Sequence, residues 1–249
     1  AHFLRNQRGL AITAEQIFLC AGAGTAIDML CTLQSGTGRT VLTQSTTYQN
    51  ALKIFASHQF KVRPLPEDEG GQLSLEALDE LLSKEHRDIA LIYLVPTFAN
   101  PTGQTLDIET RKKLAELAER YQLMVVADEV YHPLSFPGAP EPPPVLSHFD
   151  KTGRYIISLG SFTKIAAPGL RLGWAEVGQA PQDSQDKDNL ITRLSRLGVV
   201  QNGGSLNHMT SMLISEFISQ GHLAHHLRTL RSTYEARAGV LSAALSKRL

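Results

Sequence analysis

Lys164 is a cation in an unusual setting. It follows the apolar run Tyr155-Ile156-Ile157-Ser158, of the β-branched kind that forms a buried strand, and then the small and polar residues Gly160, Ser161 and Thr163. Pro168-Gly169 marks a turn beyond it, and Arg171 lies seven residues on. Lysine is mostly a solvated surface charge. Here it is flanked by hydroxyls and a guanidinium. Ser161, Thr163 and Arg171 offer the donors that a phosphate needs, and the amine of Lys164 can form an imine with an aldehyde. The pattern asks for an aldehyde that also carries a phosphate.

Four other stretches hold residues of the same kind. The apolar strand Ile89 to Val95 runs into Pro96-Thr97-Phe98-Ala99-Asn100-Pro101-Thr102-Gly103. Asn-Pro and Thr-Gly mark a turn ahead of a helix expected from about Ile108 to Tyr121, and the Asn100 amide can also donate to a ligand. The strand Leu123 to Ala127 delivers Asp128, Glu129 and Tyr131. A carboxylate at the end of an apolar strand is costly unless it caps the next turn or meets a cation. Glu129 reads as a structural or exposed carboxylate. Ala21-Gly22-Ala23-Gly24-Thr25 separates a strand at Gln16 to Cys20 from a helix at Ala26 to Leu33. Such a turn leaves N–H groups at a helix start, where an anion is stabilised, although two glycines also serve backbone geometry. Tyr48 stands in a polar loop after the strand Arg39 to Thr43, twenty-five residues beyond Ala23.

Ser-Phe-Thr-Lys with Pro-Gly-Leu-Arg-Leu-Gly after it resembles the lysine segment of the fold type I enzymes of pyridoxal 5'-phosphate (PLP), the aminotransferase class I/II family. Residues 96–103 resemble the Asn-Pro-Thr-Gly signature of the same family. The segments fall in family order over most of the chain, and are most like the group that includes 2-aminoadipate and kynurenine aminotransferases.

The resemblance implies a role for each residue. Lys164 would hold PLP as an imine and then move the substrate's α-proton, Asp128 would pair with the pyridine nitrogen, and Asn100 and Tyr131 would meet the phenolic oxygen. Lys164, Asp128 and Tyr131 are the implied catalytic set. Tyr48 would stack on the ring, and Ser161, Thr163 and Arg171 would take the phosphate. The family has a small hydroxyl residue and an amide residue at the positions of Ala23 and Gly24. Here the grip would have to come from backbone N–H groups and the hydroxyl of Thr25. The implied reaction moves an amino group between an L-amino acid and a 2-oxo acid, with 2-aminoadipate or an aromatic amino acid as donor and 2-oxoglutarate as acceptor. Relatives build each site at a homodimer interface, and bind the substrate α-carboxylate through an arginine of a small C-terminal domain. The same large domain also serves C–S lyases, aminocyclopropanecarboxylate synthases and the sensor half of bacterial transcription regulators.

The elements that position these residues alternate strand and helix, which implies an α/β fold: a three-layer αβα arrangement with a mostly parallel central sheet. In such sheets ligands collect at the carboxyl ends of the strands. At 249 residues and 42% hydrophobic the chain can bury a sizeable core. A formal net charge of zero with no Lys or Arg block points away from nucleic acid and anionic membranes. No apolar run approaches a bilayer span, and Cys20 and Cys31 are too few for a disulfide framework. A soluble protein of a reducing, cytoplasmic compartment is expected. Residues 1–222 read as the PLP-binding domain, and 223–249 as the start of a long helix leading to a small domain beyond a truncated end. His222, His225 and His226 fit no zinc motif and read as a solvated helix start. Ser135 to Pro144 and Gln179 to Asn189 read as surface loops.

Overall fold

Seven short strands form one sheet in this computed structural model, which describes residues 1–8, 11–179, 188–204 and 206–247. They are β1 (Ile17–Cys20), β2 (Thr40–Thr43), β3 (Lys61–Pro64), β4 (Ile89–Leu94), β5 (Met124–Asp128), β6 (Ile156–Ser161) and β7 (Gly173–Val177). Their spatial order is β1-β7-β6-β5-β4-β2-β3. Both pairs made by β7 are antiparallel and the others are parallel, so β7 alone runs against the rest. This is the mostly parallel sheet expected from the strand and helix alternation.

The helices cover both faces. Among the described residues they are α1 (His2–Arg8), α2 (Ala23–Leu33), α3 (Gln49–Ser57), α4 (Leu75–Glu85), α5 (Ile108–Arg120), α6 (Leu190–Ser195), α7 (Gly198–Gln201), α8 (His208–Ser219) and α9 (His222–Leu245). Strand β4 explains the three layers. Leu91 and Tyr93 pack with α2 and α3 on one face, while Ile92 and Leu94 pack with α4 and α5 on the other. Period-two alternation with both faces apolar makes a strand that is stable only when sandwiched. Each fully buried Leu or Ile contributes about 1.5–3 kcal/mol by leaving water.

A third cluster closes one end. Phe162, Ile165 and Trp174 pack against Ile214 of α8 and Leu223 and Leu227 of α9. Trp174 lies so close to β6 that a Cβ on Gly160 would fall 2.1 Å from the indole, which requires glycine at 160.

Several boundaries differ from the expectation. Strand β6 continues to Ser161, because its six residues are buried on both faces even where they are small or polar. Helix α2 begins at Ala23, not Ala26, so Ala23, Gly24 and Thr25 form its first turn. Neither α3 nor β7 was expected. Helix α3 has only nine residues, with Ala51 and Phe55 as its buried pair, and β7 includes the buried Glu176, so neither carries a strong period of its own. The loop expected at Gln179 to Asn189 lies outside the described residues over 180–187, as does Ser205. Among the described residues no helix is long and apolar enough to cross a membrane.

Candidate active site

The carboxyl edge of the parallel strands gathers the residues singled out by their chemistry. Asp128 and Ser161 end β5 and β6. Asn100 lies in the loop after β4, Tyr48 caps α3 after β2, and Ala23 opens α2 after β1. Arg171 precedes β7, whose reversed direction brings its amino end to this same edge, with Gly173 beside Ser161 and Cys20. A cavity of about 160 Å³ lies between them. Its lining includes Ala23, Gly24, Tyr48, Asn100, Asp128, Tyr131, Ser161, Thr163, Lys164 and Arg171. Thr25 is not in that lining, and its hydroxyl donates to the Ala21 carbonyl at 3.3 Å. The hydroxyl proton expected to face an anion is therefore committed to the helix's own entry.

One end of the cavity is cationic. The first N–H groups of α2 lack intrahelical acceptors and carry the positive end of the helix dipole. Gly22, with φ of 98°, lets Arg171 close over that end, since a Cβ on it would stand 2.8 Å from Nη2. Arg171 is itself left-handed at φ 47°, a conformation that non-glycine residues adopt at a cost. Its contacts are long and to neutral acceptors: Nη1 donates to Thr163 Oγ1 at 3.3 Å and Nη2 to Ala21 O at 3.3 Å. The guanidinium is exposed and its charge is unmatched by these partners. Ser161 Oγ accepts from Thr163 N–H at 3.2 Å, which leaves the serine proton to donate.

The other end is a buried carboxylate. Asp128 is 5% exposed; its Oδ2 accepts from Tyr93 OH at 2.9 Å, while Oδ1 has no hydrogen-bond partner. Burial raises its pKa to about 6, and the Tyr93 bond, the backbone N–H of Val130 near the carboxylate and the charge of Lys164 oppose the rise. A buried carboxylate oxygen without a partner costs free energy until a donor arrives. Between the two ends Lys164 is exposed, its Nζ 5.7 Å from the centre of the Tyr131 ring. Asn100 Nδ2 donates to Tyr131 OH at 3.3 Å, and Asn50 Nδ2 to Tyr48 OH at 2.9 Å.

A second, larger cavity of about 740 Å³ adjoins this one and shares Tyr131 and Lys164 with it. The rest of its lining is Phe98, Gly103, Leu134, Ser135, Phe136, Ala139, Pro140 and Tyr234. The loop expected at Ser135 to Pro144 thus forms one wall.

Tyr93, Asn50, Thr97 and Arg111 escaped the sequence reading. A tyrosine inside a strand buried on both faces needs a hydrogen-bond partner, which was the signal for Tyr93. Arg111 stands three residues before Leu114 and seven before Ala118, on the buried stripe of α5. Glu129 is buried and structural: it pairs with Arg111 at 3.1 Å, both side chains being 0% exposed. His222 and His225 lie in the first turn of α9 with His226 just beyond, and among the described residues no group of three or more His, Cys, Asp or Glu could hold a metal ion.

The sequence model described as aminotransferase class I and II matches residues 1–248. An aromatic-amino-acid aminotransferase of Thermococcus litoralis is 27% identical over 99% of this chain and 57% of its own. A probable rhizopine catabolism regulatory protein, MocR, of Rhizobium meliloti is 30% identical over 100% of this chain and 46% of its own. The kynurenine aminotransferase of Pyrococcus horikoshii, solved with PMP and kynurenine, superposes with a TM-score of 0.81 at 27% identity, covering 98% of this chain and 58% of that one. The chain therefore spans about half the length of these relatives.

The donor set suits PLP. The partnerless oxygen of Asp128 could accept from a protonated pyridine nitrogen, Lys164 could offer its amine to the aldehyde, and Arg171 with the start of α2 would offer positive charge to the phosphate. With a family match along almost its whole length and a shared fold, the chain belongs to the aminotransferase class I and II family, whose cofactor is pyridoxal 5'-phosphate.

Proposed function

We propose that this chain is the cofactor-binding part of an aminotransferase that moves the amino group of an amino acid with an aromatic or large apolar side chain onto a 2-oxo acid such as 2-oxoglutarate. The observation that carries this reading is the buried, partnerless Oδ1 of Asp128 in one cavity with the exposed amine of Lys164. Bound there, PLP supplies an aldehyde for amines to condense with and a ring that draws electrons from the substrate α-carbon. Asp128 holds a proton on the pyridine nitrogen. Tyr131 OH accepts from Asn100, so its own proton is free for the phenolic oxygen. Tyr48 would lie against the ring, and Arg171, Ser161, Thr163 and the backbone N–H groups of Ala23, Gly24 and Thr25 would hold the phosphate. Lys164 Nζ would anchor the aldehyde and, when free, could take the proton from the substrate α-carbon.

The side-chain preference rests on the larger cavity. Phe98, Leu134, Phe136, Pro140 and Tyr234 offer apolar and aromatic surface, and Lys164 is the one charged residue in the lining. That suits a ring better than the distal carboxylate of 2-aminoadipate. Residues 1–222 act as the cofactor domain, and α9 leads toward a second domain and a homodimer partner that complete the substrate site. The exposure of Val240 at 73% and Leu241 at 61% on the far half of α9 supports that extension.

The test is borohydride treatment of the chain with PLP, read by mass spectrometry. An adduct on Lys164 that disappears in Lys164→Ala is expected, followed in the full-length protein by conversion of aromatic amino acids at higher kcat/KM than 2-aminoadipate. No adduct in either protein refutes the reading. The likeness to MocR over the whole chain favours a second one, the effector-binding half of a transcription regulator. An adduct without any amino transfer in the full-length protein would decide for it.

A further inference from the structure

On the α4 and α5 side of the sheet, directly behind the cavity, one guanidinium uses every donor it has. Arg111 Nε donates to Leu106 O at 2.9 Å, Nη1 to Glu129 Oε1 and Pro144 O at 3.1 Å each, and Nη2 to Pro96 O at 2.7 Å and Thr97 Oγ1 at 2.9 Å. That exhausts its N–H groups. Thr97 Oγ1 donates to Glu129 Oε2 at 2.6 Å, and Leu146 N–H donates to Oε1 at 2.9 Å. Both side chains of the pair are fully buried.

The attachments define two edges of the cavity. Pro96 and Leu106 are the two ends of the loop that carries Asn100, closed by Leu106 N–H to Pro96 O at 2.9 Å, and Arg111 holds both carbonyls. Glu129 directly follows Asp128, and successive side chains at a strand end point to opposite faces. Anchoring Glu129 behind the sheet therefore sets the rotation of Asp128 in front of it. Buried ion pairs stabilise little compared with apolar groups of the same volume. The use of this one lies in the geometry it imposes.

We propose that Arg111, Glu129 and Thr97 form a positioning clamp that sets Asn100 and Asp128 at the separation the cofactor ring requires. It rests on the PLP reading above. None of the three residues lines the cavity, so they act through the groups they hold.

The test compares the full chain with its Arg111→Lys, Thr97→Val and Thr97→Ser variants and with Leu82→Ala, a core change on α4 remote from the clamp. Amide hydrogen exchange is read without cofactor, and PLP affinity and the absorbance maximum of bound PLP are read with it. Arg111→Lys and Thr97→Val are expected to speed exchange at least tenfold over 96–106 and 128–131 while β2 and α4 keep wild-type rates. They should raise the PLP dissociation constant at least tenfold and move the absorbance maximum. Thr97→Ser keeps the hydroxyl and is expected to match wild type in all three, whereas Leu82→Ala lowers Tm without the selective pattern. Exchange that rises evenly as in Leu82→Ala, or Thr97→Ser behaving like Thr97→Val, overturns the clamp. Unchanged PLP affinity and spectrum in Arg111→Lys also overturn it. Failure of wild type to hold PLP refutes the cofactor reading instead, and the exchange comparison in the same samples still decides the clamp.

Discussion

Asp128 and Glu129 are neighbours at the end of β5, both carboxylates and both buried, yet they are provided for in opposite ways. Glu129 faces the helices of one layer and has its oxygens filled from within, by Arg111, Thr97 and the Leu146 amide. Asp128 faces the cavity with Tyr93 on one oxygen and no well-formed hydrogen bond on the other. Burying a charge is expensive whichever way the side chain points. Where the protein supplies the full set of partners the group is committed to the fold; an oxygen without a partner is able to accept from a ligand donor. The contrast separates a carboxylate satisfied by the fold from one with an oxygen left to accept, without appeal to their sequence neighbours, which are the same.

The contrast would break most visibly in turnover. Asp128→Asn in the full-length protein is expected to lower kcat about 10³-fold, the scale of losing one preorganised electrostatic partner, while the Tm of the cofactor-free protein holds or rises. An unchanged kcat would remove Asp128 from the site. Glu129→Ala should act first on stability, and on PLP affinity only through the clamp it belongs to. By leaving Arg111 buried and unpaired it is expected to cost about 3–5 kcal/mol in urea unfolding, and the Arg111→Met, Glu129→Leu pair should recover most of that loss. If the single change costs under about 1 kcal/mol, the two carboxylates are equivalent after all.

The contrast also has a pH signature. The folded pKa of Asp128, about 6, lies above its ordinary value of 3.8, so the native state holds a proton there that the unfolded chain has released. Stability of the cofactor-free protein should fall as pH rises from about 4 to 6, by on the order of 2–3 kcal/mol. Asp128→Asn should flatten the slope, and added PLP should reverse it by favouring the carboxylate. Urea midpoints across that range give the sign directly. Tyr93→Phe is the smallest step. Losing the 2.9 Å bond to a charged acceptor is expected to weaken PLP binding by about 1.5–3 kcal/mol and to raise the Asp128 pKa further, read as an upward move of the same pH midpoint.

Local signals went far in this chain. The apolar strand at Ile89 to Val95, the helix after Asn100 and the carboxylate at Asp128 could be read from residue order, because period-two burial and turn chemistry act over a few neighbours. The motifs around Lys164 and Asn100 pointed to the family that the whole-chain match bears out. The bond of the Thr25 hydroxyl to the Ala21 carbonyl one turn back was not legible, because residue order does not rank such local acceptors.

Residue types and spacing thus determined which chemistry was available: an amine, a ring acceptor, phosphate donors and an alternating α/β chain to carry them. Tertiary structure alone decided who meets whom. Tyr93 reaches Asp128 from thirty-five positions away, Arg171 reaches Ala21 across one hundred and fifty, and Arg111 on α5 meets Glu129 beyond the end of β5. These pairings depend on strand order and on the reversed direction of β7, which bring distant ends to one edge. Whether a buried polar group finds its partner is a property of that three-dimensional neighbourhood, and no local period encodes it.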